Sequence, residues 1–453
     1  MNTRRMSALL IACIFLFTAT ALWAAETVKI EISTAEWELA PGLVTRAWTY
    51  GGVVPGTPII VRAGEEITIE VTNHLAVPTN IHWHGLVIPN DQDGPAIRIK
   101  PGATFTYKFS PQEPGTYWYH PHLRPVLDQL DRGLYAPFIV LSPEDSFYTG
   151  DKTFVLDDWY LDAKGNRLPG TAPGDMERFG NIDTVNGKAR NAVEPLEVVK
   201  GGLYKLRFIN ASTAKVHTLK LSGGSSRVTH LDGHPLAAPY SADSVTLAPG
   251  ERVDVEFLAS GESGSTSEIA GSLPGSNFII PVRYGKGTIA QVSSPFTAPV
   301  LQPYPGAHEM LPDYILTLAS TMGGMMNGTM MSGMMGGMGM TGWTINGKAY
   351  PATEPLDVKV GQLVKLQVVN EDMVQTAEGH RMDHPLHIHG TVFQVLSVDG
   401  VTQEPVQLRD TIPVPAGGYV DIAFIMTEPG MWMIHCHVID HEDGGMLTVI
   451  RAK

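Results

Sequence analysis

Three stretches of the chain alternate apolar and polar residues: VRAGEEITIEVTN (61–73), VKGGLYKLRFIN (199–210) and VKVGQLVKLQVVN (358–370). A period of two is that of a half-buried β-strand. Each stretch carries a glycine nine residues ahead of an asparagine: Gly64 and Asn73, Gly201 and Asn210, Gly361 and Asn370. The second and third follow matching segments, VNGKARNAVEPLEV and INGKAYPATEPLDV. A later element repeats too. KPGATFTYKFSPQEPGTYWYHPH (100–122) matches PAGGYVDIAFIMTEPGMWMIHCH (415–437), and APGERVDVEFLASGESG (248–264) is a middle copy without histidines. Many short strands, Pro and Gly turns and no long amphipathic helix predict an all-β chain. Self-similarity at domain length predicts three tandem β-sandwiches, near 27–142, 150–297 and 310–453.

Composition narrows the function. The 453 residues are 43% hydrophobic and 17% charged, a globular composition. A formal net charge of -14 argues against nucleic acid or an anionic membrane as partner, but does not oppose metal cations. The N-terminus places Arg4 and Arg5 before an apolar run from Met6 to Trp23 and then Ala24 and Ala25, the layout of an export signal over 1–25. A membrane anchor is the competing reading. The run is about the minimum spanning length, and nothing basic flanks its far end. TRRMSAL matches the twin-arginine pattern only in part, so the Sec and Tat routes both stay open. Cleavage leaves a periplasmic or extracellular protein with no stable membrane insertion and one cysteine, Cys436. An exported protein usually uses cysteines in disulfides. A lone thiol needs another role, and a metal bond supplies one.

The histidines sit in the outer two copies. IHWHG (81–85) aligns with LHIHG (386–390), and EPGTYWYHPH (113–122) with EPGMWMIHCH (428–437). So His82 and His84 correspond to His387 and His389, and His120 and His122 to His435 and His437. On a strand, residues two apart face the same way. Four H-x-H pairs can converge when the outer copies pack about a pseudo-two-fold axis. Cys436 then points away from that cluster. With His384, His441 and Met446 it makes the two-histidine, one-cysteine, weak-methionine set of a blue-copper site. The backbone from Cys436 to His435 and His437 gives electrons a short covalent path.

HWHG, HPH, HPLHIHG and HCHVIDHEDGGM resemble the four copper-binding segments of the multicopper oxidases, and the resemblance covers the whole mature chain. It implies three cupredoxin-like Greek-key domains, four copper ions and one-electron oxidation of a reductant coupled to reduction of O2 to water. By position, His384, Cys436, His441 and Met446 would hold type 1 copper, and His82 and His387 type 2. His84, His120 and His437 would hold one type 3 copper, and His122, His389 and His435 the other. That last division rests on the family alone. Asp93 in NDQDGPA and Glu442 in DHEDG resemble the family's proton-relay carboxylates, since O2 reduction consumes protons; a turn residue and a surface charge are their plainer readings.

The segment 321–342 holds nine of the 19 methionines: Met322, Met325, Met326, Met330, Met331, Met334, Met335, Met338 and Met340. The rest is nearly all glycine, which opposes a stable helix. Thioethers select Cu(I). The segment reads as a collector that offers Cu(I) to the type 1 site, with Met382 and Asp383 completing a docking point. Such insertions resemble those of bacterial cuprous oxidases of copper tolerance. An inert insertion or a membrane-seeking loop are the alternatives. The runner-up function is a laccase-type oxidase of phenols and aromatic amines. A non-catalytic copper store is the non-enzyme reading, but storage does not need eight histidines arranged for O2. A copper nitrite reductase would not need the full type 3 set. His74, His217, His230, His234, His308 and His380 fall outside the pattern and read as structural or surface residues, with His308 and His380 candidates for added copper affinity. The chain is expected to act as a monomer.

Overall fold

The computed structural model describes residues 27–171, 177–271, 278–321, 342–373 and 382–453. The expected signal (1–25), the methionines of 322–341 and His380 lie outside the described residues. Three pairs of sheets follow one another, built from Val28–Leu141, Gly150–Thr288 and Tyr314–Ala452. The first pair has four strands in each sheet; the other two have six and five. The protein is an all-β chain of three cupredoxin-type sandwiches. Among the described residues no helix is long and apolar enough to cross a membrane.

The repeats have a mechanical cause. In each domain the opening strand runs parallel to the alternating strand: Val28–Ile32 with Ile69–Asn73, Gly150–Leu156 with Tyr204–Asn210, and Tyr314–Leu318 with Leu366–Asn370. The glycine before each alternating strand has a positive φ, +78°, +90° and +80° at Gly64, Gly201 and Gly361, which a side chain disfavours. The asparagine that ends it is buried and clamps the next loop. Asn73 Nδ2 donates to the carbonyls of Val77 and Ile99, Asn210 Nδ2 to those of Lys215 and Leu247, and Asn370 Nδ2 to those of Met382 and Val414. In each case Oδ1 accepts an amide N–H two residues on. Three hydrogen bonds from each buried asparagine explain why this residue recurs, since leaving such groups unpaired costs about 1–3 kcal/mol each.

The EPG turns repeat for a similar reason. Tyr117 Oη donates to the Glu113 carbonyl at 3.2 Å, and Trp432 Nε1 to the Glu428 carbonyl at 3.1 Å. Both rings are buried, so each tethers the turn to its sandwich core. This aims the strands Gly115–His120 and Gly430–Cys436. They pair antiparallel with His82–His84 and His384–Ile388, which sets His82 opposite His120 and His387 opposite His435.

Histidines outside the repeats are tied into local structure. His74 pairs with Glu31, and His217 Nε2 lies 2.9 Å from Ser212 Oγ. His234 is buried, and burial pulls its imidazole down to about 4. Its folded value lies below the ordinary one near 6.5, so its contribution to stability is present at neutral pH and is lost as pH falls. Between pH 7.5 and pH 5 the loss is about 2 kcal/mol. His234→Gln removes that slope: thermal melts of wild type and variant should diverge at pH 7 and converge towards pH 5.

Candidate metal centre

Two strands and one short helix build the first site. His384 opens the strand His384–Ile388, Cys436 closes Gly430–Cys436, and His441 lies on the helix Ile439–Gly444. Their ligand atoms converge. His384 Nδ1 is 3.1 Å from His441 Nδ1, and Cys436 Sγ is 3.6 and 3.5 Å from the two nitrogens. All three residues are fully buried, as is Met446, whose amide and carbonyl bond the backbone of His441 and Cys436. Carboxylates hold the far ring nitrogens. His384 Nε2 is 3.0 Å from Asp372 Oδ2, and His441 Nε2 is 3.1 Å from Glu177 Oε1. The Asp372 contact fixes the tautomer that leaves His384 Nδ1 for a metal, and Glu177 stands against the far side of the His441 ring. Trp343 stacks on His441 with ring centroids 3.5 Å apart. Burial pushes the Cys436 thiol up, and the Val438 N–H donated to Sγ offsets this only in part. A cation that displaces the proton resolves that cost.

The second site is a shell of eight buried imidazoles between the first and third domains. His82 stacks on His389 at 3.8 Å and His84 on His387 at 3.7 Å, pairs related by the pseudo-two-fold alignment. His435 Nε2 lies 3.2 Å from both His122 Nε2 and His389 Nε2. The rings of His84, His120 and His437 are 4.9–5.8 Å apart. Backbone carbonyls fix several rings from behind: Nδ1 of His82, His120, His387 and His435 faces the carbonyl of Asp93, Pro121, Asp410 and Cys436 at 2.9–3.0 Å. Nε2 of His82, His120 and His387, Nδ1 of His84 and both nitrogens of His437 find no hydrogen-bond partner among the described residues. Buried nitrogens without partners are costly unless something else binds them. Burial, and then neighbouring imidazoles, holds His84, His120, His122, His389, His435 and His437 well below the usual histidine range. They are neutral at physiological pH, the form that binds metal.

Acids flank this shell. Asp93 Oδ2 is 2.9 Å from His389 Nδ1, and Oδ1 is 3.1 Å from His82 Nδ1. Glu442, one residue beyond His441, is fully buried with its oxygens 3.5 Å from His122 Nδ1 and 3.3 Å from His435 Nδ1. It is therefore not a surface charge, because the short helix turns it inward. Burial, with Asp443 adding to it, pushes its carboxyl well above the usual carboxylate range.

Three family models, each described as multicopper oxidase, match this chain, over residues 31–145, 150–265 and 323–453. Multicopper oxidase MmcO of Mycobacterium tuberculosis is 32% identical over 455 residues, covering 90% of this chain and 83% of its own. The chain belongs to the multicopper oxidase family. A multi-copper oxidase structure from Pseudomonas thermotolerans superposes with a TM-score of 0.79 at 26% identity, over 95% of this chain and 100% of the other. A Campylobacter jejuni multicopper oxidase, described as a metallo-oxidase, gives 0.77 at 25%, over 94% and 91%.

As a multicopper oxidase the protein uses O2 and a reductant, and its donor sets suit copper: thiolate and imidazole in the first site, imidazole alone in the second. Three supporting residues were not anticipated. Asp372, Glu177 and Asp410 stand 12, 264 and 23 residues from the histidines they touch. Asp410 carried the best signal, a charged LRD triplet entering an apolar strand. Met382 needs a correction. It is 1% exposed and packs in the same apolar cluster as Cys436 and Met446, so it is not an accessible docking thioether. Asp383 lines a cavity of about 90 Å³ with Glu177, Glu251, Phe179, Pro385 and Val438. The cavity touches the first site through Glu177, which contacts His441.

Proposed function

We propose that this multicopper oxidase oxidises Cu(I) at a type 1 copper and reduces O2 to water at a trinuclear cluster, serving copper tolerance after export to the periplasm or cell exterior. His384, Cys436, His441 and Met446 would hold type 1 copper, and His82 and His387 type 2. The triads His84/His120/His437 and His122/His389/His435 would hold the type 3 pair. When bound, the four ions supply one-electron transfer from the reductant and the four-electron reduction of O2 to two waters. The residues do the rest. Asp372 and Glu177 orient the type 1 imidazoles. The backbone of Cys436 joins them to His435 and His437. Glu442, buried with Oε2 3.3 Å from His435 Nδ1, would carry protons to the cluster, and Asp93 sits against His389 and His82.

The observation that carries the cuprous reading is where the methionine segment is anchored. The strands Tyr314–Ser320 and Trp343–Ile345 pair antiparallel, and Thr321 and Gly342 hydrogen-bond across the base of the insertion. One end reaches the type 1 ligands through Ser320, which donates to Asp372, the partner of His384. The other reaches them through Trp343, stacked on His441. Nine soft thioethers are thus tethered to the electron-entry site. The carboxylates of Glu177 and Asp383 add cation attraction in the neighbouring cavity. The second reading, a laccase-type oxidase, draws support from that cavity's apolar walls. Oxygen uptake by the copper-loaded chain with Cu(I) or a simple phenol separates them: faster turnover of Cu(I) supports the first, and faster turnover of phenol the second.

Proton delivery gives a separate test. General acid groups contribute roughly 100-fold or more. Glu442→Gln should slow reoxidation of the reduced enzyme by O2 by about that factor and leave reduction of the blue copper by Cu(I) unchanged. Stopped-flow absorbance reads both steps. Equal slowing of both steps would remove Glu442 from the proton path.

A further inference from the structure

The middle domain has no cluster histidine, yet it reaches the cluster. Its turn at Gly250 has φ +87°, and a side chain there would meet the His437 ring at 2.9 Å. Two residues on, Arg252 is wholly buried where all three domains meet. Its Nε donates to the Thr116 carbonyl at 3.1 Å in the first domain, and Nη2 to the Asp232 carbonyl at 2.9 Å in its own. Nη1 and Nη2 grip Asp410 of the third domain at 2.7 and 2.5 Å, a bidentate pair. Arg409, the residue before Asp410, pairs with Asp232 at 2.6 Å and with Glu251.

Asp410 and Thr411 in turn touch two cluster histidines from different domains. Thr411 Oγ1 donates to Asp410 Oδ1 at 2.8 Å and lies 3.1 Å from His84 Nε2 and 3.2 Å from His387 Nδ1. Asp410 Oδ1 is 3.3 Å from His84 Nε2 and 3.5 Å from His387 Nδ1. Both far nitrogens thus face acceptors. That leaves His84 Nδ1 and His387 Nε2, the two without partners among the described residues, to face the cluster. The carboxylate–hydroxyl pair therefore supplies the acceptors for His84 and, together with the Asp410 carbonyl 2.9 Å from Nδ1, those for His387, and an arginine from the middle domain holds that pair in place.

We propose that Asp410 and Thr411, clamped by Arg252, are positioning residues that fix His84 and His387 together, so that copper retention in the cluster depends on docking of the middle domain. This rests on the four-copper reading above. Supports of this kind typically change metal affinity by about 10–100-fold. The test uses full-length copper-loaded protein with Asp410→Asn, Thr411→Val and Arg252→Lys. Chelator competition reads cluster copper affinity, electron paramagnetic resonance reads the type 2 signal, and blue absorption reports an intact type 1 site. The expected result is blue protein whose cluster copper is bound about 10–100-fold more weakly, with an altered type 2 signal, in all three variants. Should Asp410→Asn lose its blue absorption through misfolding, Thr411→Val and Arg252→Lys decide. Wild-type affinity and type 2 signal in Thr411→Val would overturn the positioning role. Wild-type values in Arg252→Lys alone would overturn the dependence on the middle domain. A wild-type protein that binds copper without blue absorption would overturn the copper assignment, and this inference with it.

Discussion

Cys436→Ser abolishes oxygen uptake with every reductant and removes the blue absorption, while the trinuclear copper stays bound. The thiolate is the one soft anionic ligand in the first site, and a serine hydroxyl does not replace it. Cys436 Sγ faces His384 and His441, whereas His435 and His437, on either side, face the cluster. The substitution therefore cuts the electron path at its entrance without touching a cluster imidazole. Copper analysis should fall from four ions per chain to three, with the type 2 resonance signal preserved. Retained turnover with Cu(I) would mean that electrons enter elsewhere, and simultaneous loss of all copper would mean that the two sites do not assemble separately.

Excision of residues 322–341 depresses Cu(I) oxidation at low Cu(I) concentration by about tenfold or more, equivalent to ~1.4 kcal/mol of transition-state stabilisation. Oxidation of a phenol is unchanged or faster. The cut is placed so that Thr321 and Gly342 become the two central residues of a hairpin between Ser320 and Trp343, strands that already pair. A two-residue turn with glycine suits such a connection. The contacts from Ser320 to Asp372 and from Trp343 to His441 are kept, so a loss confined to Cu(I) reports the thioethers and not a damaged type 1 site. Steady-state kinetics with both reductants check this. A parallel fall with Cu(I) and phenol would assign the segment a structural role.

What the sequence made readable was whatever repeats with a short period. Alternation at Ile67–Asn73 fixes a strand and its buried face, and H-x-H fixes two imidazoles on one side of a strand. The recurring Gly–Asn spacing flagged a structural unit before its cause, the loop clamp by a buried asparagine, could be seen. Residues that act across domain boundaries carried no such mark. Glu177 meets His441 from the middle domain and Arg252 reaches the cluster through Asp410, in both cases only through packing, and nothing in local composition separates these two from other surface-type charges. Met382 misled for the converse reason. It lies two residues before His384 in sequence, but its side chain packs into the core of the third domain. For Glu442 the sequence favoured a relay and kept a surface charge as the plainer reading. The short helix Ile439–Gly444 settles its burial, and Asp443 bonds the amides of Val126 and Leu127 beside it.

The most direct test of the central claim is the ratio of Cu(I) oxidised to O2 consumed by the copper-loaded enzyme, with Cys436→Ser as the control for uncatalysed oxidation. Oxygen is followed at an electrode, Cu(I) with a cuprous-specific chelator, and hydrogen peroxide in the same samples. Four cuprous ions per O2, no peroxide and a rate well above the control are expected. Two cuprous ions per O2 with accumulating peroxide, or a rate no higher than the control, would contradict the claim.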